Sequence, residues 1–206
     1  MKTLWKTLIL PHLDYCSQLW SGSLNPTVIS DLEGPQRAFT KRINGMRTKS
    51  YWTRLKELQL LSIERRFERY KILYTKKCLL GLVPNYGVKL AGTDSRRGCL
   101  LEIPPHKGKH MRYRTLREKS LLIEGPRLFN CLPRYVRDHR GSLDSFKSTL
   151  DDFLTSIPDQ PSGQELAGSI NKDCMPSNSL RDWTRQLNLE NWTPKHCGIG
   201  LSNLPR

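Results

Sequence analysis

Apolar residues recur at helical rather than strand spacing along most of the first 157 residues. Residues 1–21 read as a helix of large apolar side chains, with Leu4, Leu8, Leu13 and Trp20 along one side and an interruption at Pro11. A second helix is predicted from Pro26 to Asn44, with Asn25 as its cap and Pro26 at its first position. Val28, Leu32, Phe39 and Ile43 form its apolar side, Arg37 and Lys41 lie opposite, Gly34-Pro35 should kink it and Gly45 should end it. Residues 51–82 read as two helices meeting near Leu60-Leu61-Ser62, where Ser62 can cap the second.

The pattern is sharpest from Ile63 onward. Ile63, Phe67, Tyr70, Tyr74 and Cys78 make one stripe, Arg65, Arg69, Ile72 and Lys76 make another on the far side, and Glu64 and Glu68 occupy a third face. An amphipathic helix of this type should turn the first stripe inward and the basic stripe toward water or a ligand. Residues 85–113 are rich in Gly, Pro and Arg and read as a basic loop, with a short strand expected at Cys99–Ile103. Next come an apolar cluster, Leu121-Leu122-Ile123, and a short helix opened by Gly125-Pro126 and closed by Pro133. A last helix is expected after the Ser142 cap, with Leu143, Phe146, Leu150, Phe153 and Leu154 on one face. Beyond Pro158 the chain turns polar, and disorder to about Ser177 followed by a weak helix over 179–190 is expected.

Charge sharpens this picture. The chain of 206 residues carries 34 Lys and Arg against 19 Asp and Glu, for a net +15. Residues 51–120 alone have 17 basic and 6 acidic side chains, whereas residues 121–206 are balanced at 10 and 10. A local excess of this size attracts polyanions, of which nucleic acid is the commonest inside cells. A solvated surface that merely aids solubility is the alternative. The six cysteines form no CxxC pair and read as reduced thiols of an intracellular protein. No stretch is apolar over the roughly 18 residues a membrane span needs, and the apolar start breaks too early at Pro11, His12 and Asp14 for a signal peptide.

Candidate chemistry is sparse. Cys99, His106 and His110 lack recognised zinc spacing, and no metal or cofactor is expected. Asp151-Asp152 sits on the polar side of an amphipathic helix, where a solvated face is the plainer reading. Ser142, His139 and Asp144 are neighbours in sequence only, and there is no phosphate-binding glycine loop. Tyr51 and Trp52, at a helix start, are the better candidates for stacking on bases, since Phe67, Tyr70 and Tyr74 share the apolar stripe.

Several runs together resemble a known family. PHLDYCSQLW at 11–20, LEGPQRAFTKRINGM at 32–46 and YWTRLKELQLLSIERRFERYKILYTKK at 51–77 resemble the region after the palm in jockey-type non-LTR retrotransposon (LINE) reverse transcriptases. SLLIEGPRLFNCLP at 120–133 and SLDSFKSTLDDFL at 142–154 resemble the segment that ends those polymerases, and CMPSNSL at 174–180 is similar to their tails. The likeness covers about residues 1–183 and rests on the ordered series of runs. It implies a helical polymerase thumb with a C-terminal extension, holding a template–primer duplex through its backbone. The family's catalytic carboxylates lie in an aromatic–Ala–Asp–Asp palm motif that does not occur here, so no catalytic residue carries over and the chain is not expected to be an enzyme on its own.

The expected fold is therefore mainly α: a thumb-like helical region over 1–84, a basic Gly/Pro-rich linker over 85–113, a smaller C-terminal helical extension over 114–157 and a largely disordered tail over 158–206. The expected function is that of a mobile-element RNA-directed DNA polymerase fragment, nuclear in location, with residual non-specific nucleic-acid binding. Arg37, Lys41, Arg42, Arg65, Arg66, Arg69 and Lys76 are the expected phosphate contacts. The missing palm and fingers are further expected partners. An inert truncated fragment, or a protein-interaction module, is the alternative.

Overall fold

Side-chain caps open four of the helices of this computed structural model, which describes residues 2–85, 87–91, 99–105, 117–157, 159 and 180. The elements are α1 (Lys2–Leu4), a π-turn (Trp5–Ile9), α2 (Leu10–Asp14), α3 (Ser17–Trp20), a 3-10 turn (Ser21–Ser23), α4 (Pro26–Lys41), α5 (Tyr51–Leu58), α6 (Ile63–Leu79), α7 (Leu121–Asn130), α8 (Arg134–Arg137) and α9 (Leu143–Ser156). Asn25 accepts from the Val28 N–H, Ser50 from Thr53, Ser62 from Arg65 and Ser142 from Ser145, so α4, α5, α6 and α9 each begin on a satisfied donor. Gln59, in the left-handed region at φ 51°, ends α5 and separates it from α6. The protein is mainly helical, as its periodicity requires.

Local departures from expectation have local causes. The first segment is broken by a π-turn before Pro11 and by Tyr15-Cys16, where Cys16 has φ 51°. That break rotates Trp5 and Leu10 inward and leaves Leu4 and Leu8 58% and 59% exposed. α4 ends at Lys41, three residues before Asn44, and runs through Pro35. The expected strand at Cys99–Ile103 is an isolated antiparallel bridge between Leu90 and Leu101. α7 begins at Leu121 rather than at Gly125-Pro126, taking the Leu121-Leu122-Ile123 cluster into its first turn.

Two apolar clusters meet on α6. Ile63 and Phe67 of its first turns join Trp5, Leu10, Leu55, Leu58 and Leu60, with Trp20 edge-on to Phe67 at 5.0 Å and Trp5 stacked on Phe39 at 4.6 Å. Ile72, Leu73 and Cys78 further along join Leu128, Phe129, Val136, Phe146, Leu150, Phe153 and Leu154 from α7, α8 and α9. α6 is therefore covered on several sides. Arg65, Glu68, Lys71, Thr75 and Lys76 are buried beside its apolar residues, whereas Tyr70 and Tyr74 of the expected inward stripe are only half-buried. The tail over 158–206 lies outside the described residues except for Asp159, which accepts from the Ser62 cap of α6, and Leu180, whose N–H donates to Glu68 of α6.

Close approach of α6 and α7 depends on Gly125. A Cβ there would lie 2.4 Å from the Thr75 Oγ1, an atom held in place by donation to the Lys71 carbonyl at 2.8 Å. Gly125→Ala should therefore lower the unfolding free energy in urea by about 1–3 kcal/mol through overpacking. Most of that loss should disappear when Thr75→Ala is added, because the next atom met, the Leu121 Cδ1 at 3.3 Å, is the end of a flexible side chain that can give by a few tenths of an ångström, and the Thr75 Cβ is 3.7 Å away. Equal losses in the single and double backgrounds would show that the contact is not limiting.

Candidate nucleic-acid interface

The basic stripe of α6 does not face water. Arg65 is 0% exposed and lies between two carboxylates, 3.8 Å from Glu68 and 3.7 Å from Asp159. Arg66 donates two 2.5 Å bonds to Asp14, which also accepts from the Tyr70 hydroxyl at 2.9 Å. Arg69 makes a bidentate pair with Asp151 of α9. Burial pulls its pKa down, but the bonded carboxylate outweighs burial and the net movement is upward. Lys71 pairs with Glu124 of α7 at 2.7 Å. Lys76 is buried, donates to the His139 carbonyl at 3.0 Å and stands 5.0 Å over the Phe146 ring, and burial lowers its pKa. The expectation that Arg65, Arg66, Arg69 and Lys76 face water is thus corrected: Arg65 and Lys76 are buried, and Arg66 and Arg69 are half-buried in carboxylate pairs. The reason is physical. Periodicity assigns polar stripes to water when one face of a helix is packed, but α6 is packed on several faces, and buried cations must then be matched by carboxylates or other acceptors.

Tyr51 is corrected likewise. Its hydroxyl donates to Glu33 Oε1, and the guanidinium groups of Arg37 and Arg54 lie 5.2 Å and 5.6 Å from its half-buried ring, so the side chain is engaged within the fold. Trp52 is half-buried against Tyr51 at 5.0 Å. Asp151 serves Arg69, while Asp152 is exposed. Cys99 is described, whereas His106 and His110 lie outside the described residues. No group of three metal-ligating side chains occurs among the described residues.

Exposed positive charge gathers instead at the turn between α4 and α5. From Gly34 to Lys56 the chain has seven basic residues and no acidic one. Lys41, Arg42, Arg47 and Lys56 are exposed, with no carboxylate partner among the described residues, whereas Lys49 pairs with Glu57 at 2.5 Å. The turn has its own scaffold. Met46 N–H bonds the Ile43 carbonyl at 3.0 Å, Lys49 N–H bonds the Met46 carbonyl at 3.2 Å, and Gly45 reverses the chain at φ 77°. Buried Arg54 braces it from within, donating to the Lys49 and Arg37 carbonyls and to the Thr40 hydroxyl. Lys41 and Arg42 were among the expected phosphate contacts, Lys41 from its helix face. Arg47 was not, although the acid-free run from Gly34 to Lys56 was visible in the sequence. Arg37 is half-buried over Tyr51.

Beneath the turn lies a polar node that periodicity did not reveal. α4 buries Glu33, Gln36 and Thr40, while Leu32, Phe39 and Ile43 are only partly covered and Val28 is exposed. Gln36 accepts from the Trp5 indole at 3.2 Å and donates to the Tyr51 hydroxyl at 3.1 Å and the Leu61 carbonyl at 3.0 Å. Glu33 accepts from the Ile63 N–H at 2.8 Å, at the start of α6. These bonds join the π-turn, α4, α5 and α6 in one place. Burial of Glu33 outweighs its donors and raises its pKa from 4.5 to about 7. Burial and the neighbouring Glu33 carboxylate raise that of Tyr51.

No family model matches the chain, and no curated protein or solved structure matches it.

Glu33 makes stability depend on pH with a definite sign. Its folded pKa lies above the unfolded one, so folding takes up a proton between the two values. The stabilisation this provides is complete below about pH 4.5 and is lost as the pH rises through about 7. Urea unfolding across that range should give a midpoint for the natural chain that falls relative to Glu33→Gln and levels off above about pH 7. Parallel curves for the two proteins would refute the linkage.

Proposed function

We propose that the chain is a fragment of an RNA-directed DNA polymerase of the non-LTR retrotransposon type, without catalytic activity of its own. In this reading it acts in the nucleus and binds nucleic-acid backbones without reading sequence, with a template–primer duplex as the natural ligand of its parent. The resemblance of the ordered runs across residues 1–183 supports the parentage. The observation that carries the binding is the α4–α5 turn, where Lys41, Arg42 and Arg47 are exposed on an acid-free stretch and have no carboxylate partner among the described residues. Such side chains neutralise phosphates and release counterions, and they position a duplex without specifying its sequence.

A second reading, a piece that acts only within a larger protein assembly, draws on a different observation. Leu4, Leu8, Ile9, Tyr15 and Leu19 are all exposed along the first segment, an apolar surface of the kind that partners cover.

Binding to a labelled duplex, followed by anisotropy between about 50 and 200 mM salt, separates the two readings. Three neutralised phosphates give a log–log slope near −2.7, with about 0.9 lost for each of Lys41→Ala, Arg42→Ala and Arg47→Ala. Affinity should fall similarly for unrelated sequences. A slope that the triple substitution leaves unchanged would move the interface elsewhere, and absence of binding at low salt would favour the second reading.

A further inference from the structure

Glu33, Arg37 and Lys41 follow one another along a single ridge of α4, each one turn from the next. Exposure rises along that ridge: Glu33 is 4% exposed, Arg37 is half-buried and Lys41 is exposed. Glu33 differs from the carboxylates set against α6. Asp14, Glu124 and Asp151 each hold a cation. Glu33 is bonded instead by neutral donors: the Ile63 N–H at 2.8 Å, the Tyr51 hydroxyl and the Gln36 amide at 3.4 Å. Arg37 is its counterpart. The Arg37 guanidinium lies 5.2 Å from the ring whose hydroxyl reaches Glu33, and its Nε is buried with no acceptor among the described residues.

The charges around Glu33 come from each neighbouring element. α5 supplies Tyr51, with Arg54 beside its ring. At the start of α6, Asp159 on the Ser62 cap adds a second negative charge, with Arg65 beyond it at 3.7 Å. α4 itself supplies Arg37, and the π-turn supplies the uncharged Trp5 indole through Gln36. Burial favours the neutral carboxyl most strongly, Asp159 adds to it, and the donors and Arg37 oppose it, so Glu33 changes charge near pH 7 rather than near 4.5. The node can hold both forms, because the Tyr51 hydroxyl can donate to an ionised Oε1 or accept from a protonated one.

We propose that Arg37 is a fourth phosphate-binding residue of the α4–α5 turn and that Glu33 gates it: ionised Glu33 holds Arg37 back, and neutral Glu33 releases it to the ligand. This rests on the reading of that turn as a phosphate-binding surface. A polyanion then meets Lys41, Arg42 and Arg47 at high pH, and Arg37 as well at low pH. Binding takes up a proton, so affinity is highest while Glu33 is neutral and falls as the pH rises through about 7. The turn has no other group that titrates in this range. From Gly34 to Lys56 there is no His, Asp or Glu, and burial pushes the Tyr51 hydroxyl upward.

Anisotropy of a labelled duplex with the full natural chain tests the gate. Affinity should be about five- to ten-fold higher at about pH 5.5 than at about pH 8. The log–log salt slope should be steeper by about 0.9 at the lower pH, for one more phosphate. Glu33→Gln should bind at both pH values as the natural chain does at the lower one. The chain's five histidines respond to pH in both proteins, so the difference between them is the readout. Arg37→Gln should remove that difference, and Arg37→Lys should restore it. Carbon-13 titration of the Glu33 carboxyl in the natural chain should show its midpoint move upward when the duplex is added. Identical pH profiles for the natural chain and Glu33→Gln, with both binding, would overturn the gate and leave the reading of the turn intact. A full Glu33-dependent response in Arg37→Gln would likewise overturn it. Absence of binding at either pH would overturn the gate and the reading of the turn together. If Glu33→Gln does not fold by circular dichroism, the carboxyl titration decides, and a midpoint indifferent to the duplex overturns the proposal.

Discussion

The constraint on which the rest of the structure depends is the burial of α6 together with its charges. A helix carrying Arg65, Arg66, Arg69, Lys71 and Lys76 can occupy the centre of a protein only if each cation meets an acceptor there. Those acceptors come from separate parts of the chain: Asp14 from α2, Glu124 from α7, Asp151 from α9, Asp159 beyond it, and the His139 carbonyl before α9. Pairing therefore specifies which segment lies against which side of α6. The arrangement adds little net energy beyond what apolar residues of the same volume would supply, but removal of one partner leaves a buried charge and costs about 3–5 kcal/mol. The apolar clusters on either half of α6 supply the driving force, and the ion pairs fix the placement.

The same logic operates at smaller scale where α4, α5 and the start of α6 converge. Gln36 and Glu33 satisfy the Trp5 indole, the Tyr51 hydroxyl, the Leu61 carbonyl and the Ile63 N–H, groups that packing alone would strand. Arg54 then ties the end of α4 to the end of the following turn through carbonyls and a hydroxyl rather than a carboxylate. The outcome is a rigidly founded turn that projects Lys41, Arg42 and Arg47 into solvent. Positive charge on α6 is matched within the structure, whereas Lys41, Arg42 and Arg47 on this turn stay in solvent. That division is why the proposed polyanion contact belongs to the α4–α5 turn and not to α6.

One further surface gives the molecule its outward character. The first segment presents Leu4, Leu8, Ile9, Tyr15 and Leu19 because its π-turn and the left-handed Cys16 rotate the alternate residues, Trp5 and Leu10, into the core. Leu180, by contrast, is fully buried against α6, with its backbone N–H on Glu68.

The sequence by itself determined that the chain is mainly helical. It also placed α4, the α5–α6 division and α9, because the caps Asn25, Ser62 and Ser142 each accept from an N–H three residues on. It likewise held the acid-free basic run from Gly34 to Lys56, on which Lys41 and Arg42 were found. Only the tertiary structure decided which faces see water. Arg65 and Arg69 look like a solvated stripe until Asp159, 94 residues after Arg65, and Asp151, 82 residues after Arg69, arrive beside them. Glu33 and Gln36 look like surface until their long-range donors and acceptors are in place. Periodicity encodes how a helix is divided, but not how many neighbours surround it, and that number sets whether a polar stripe is an interface or a strut.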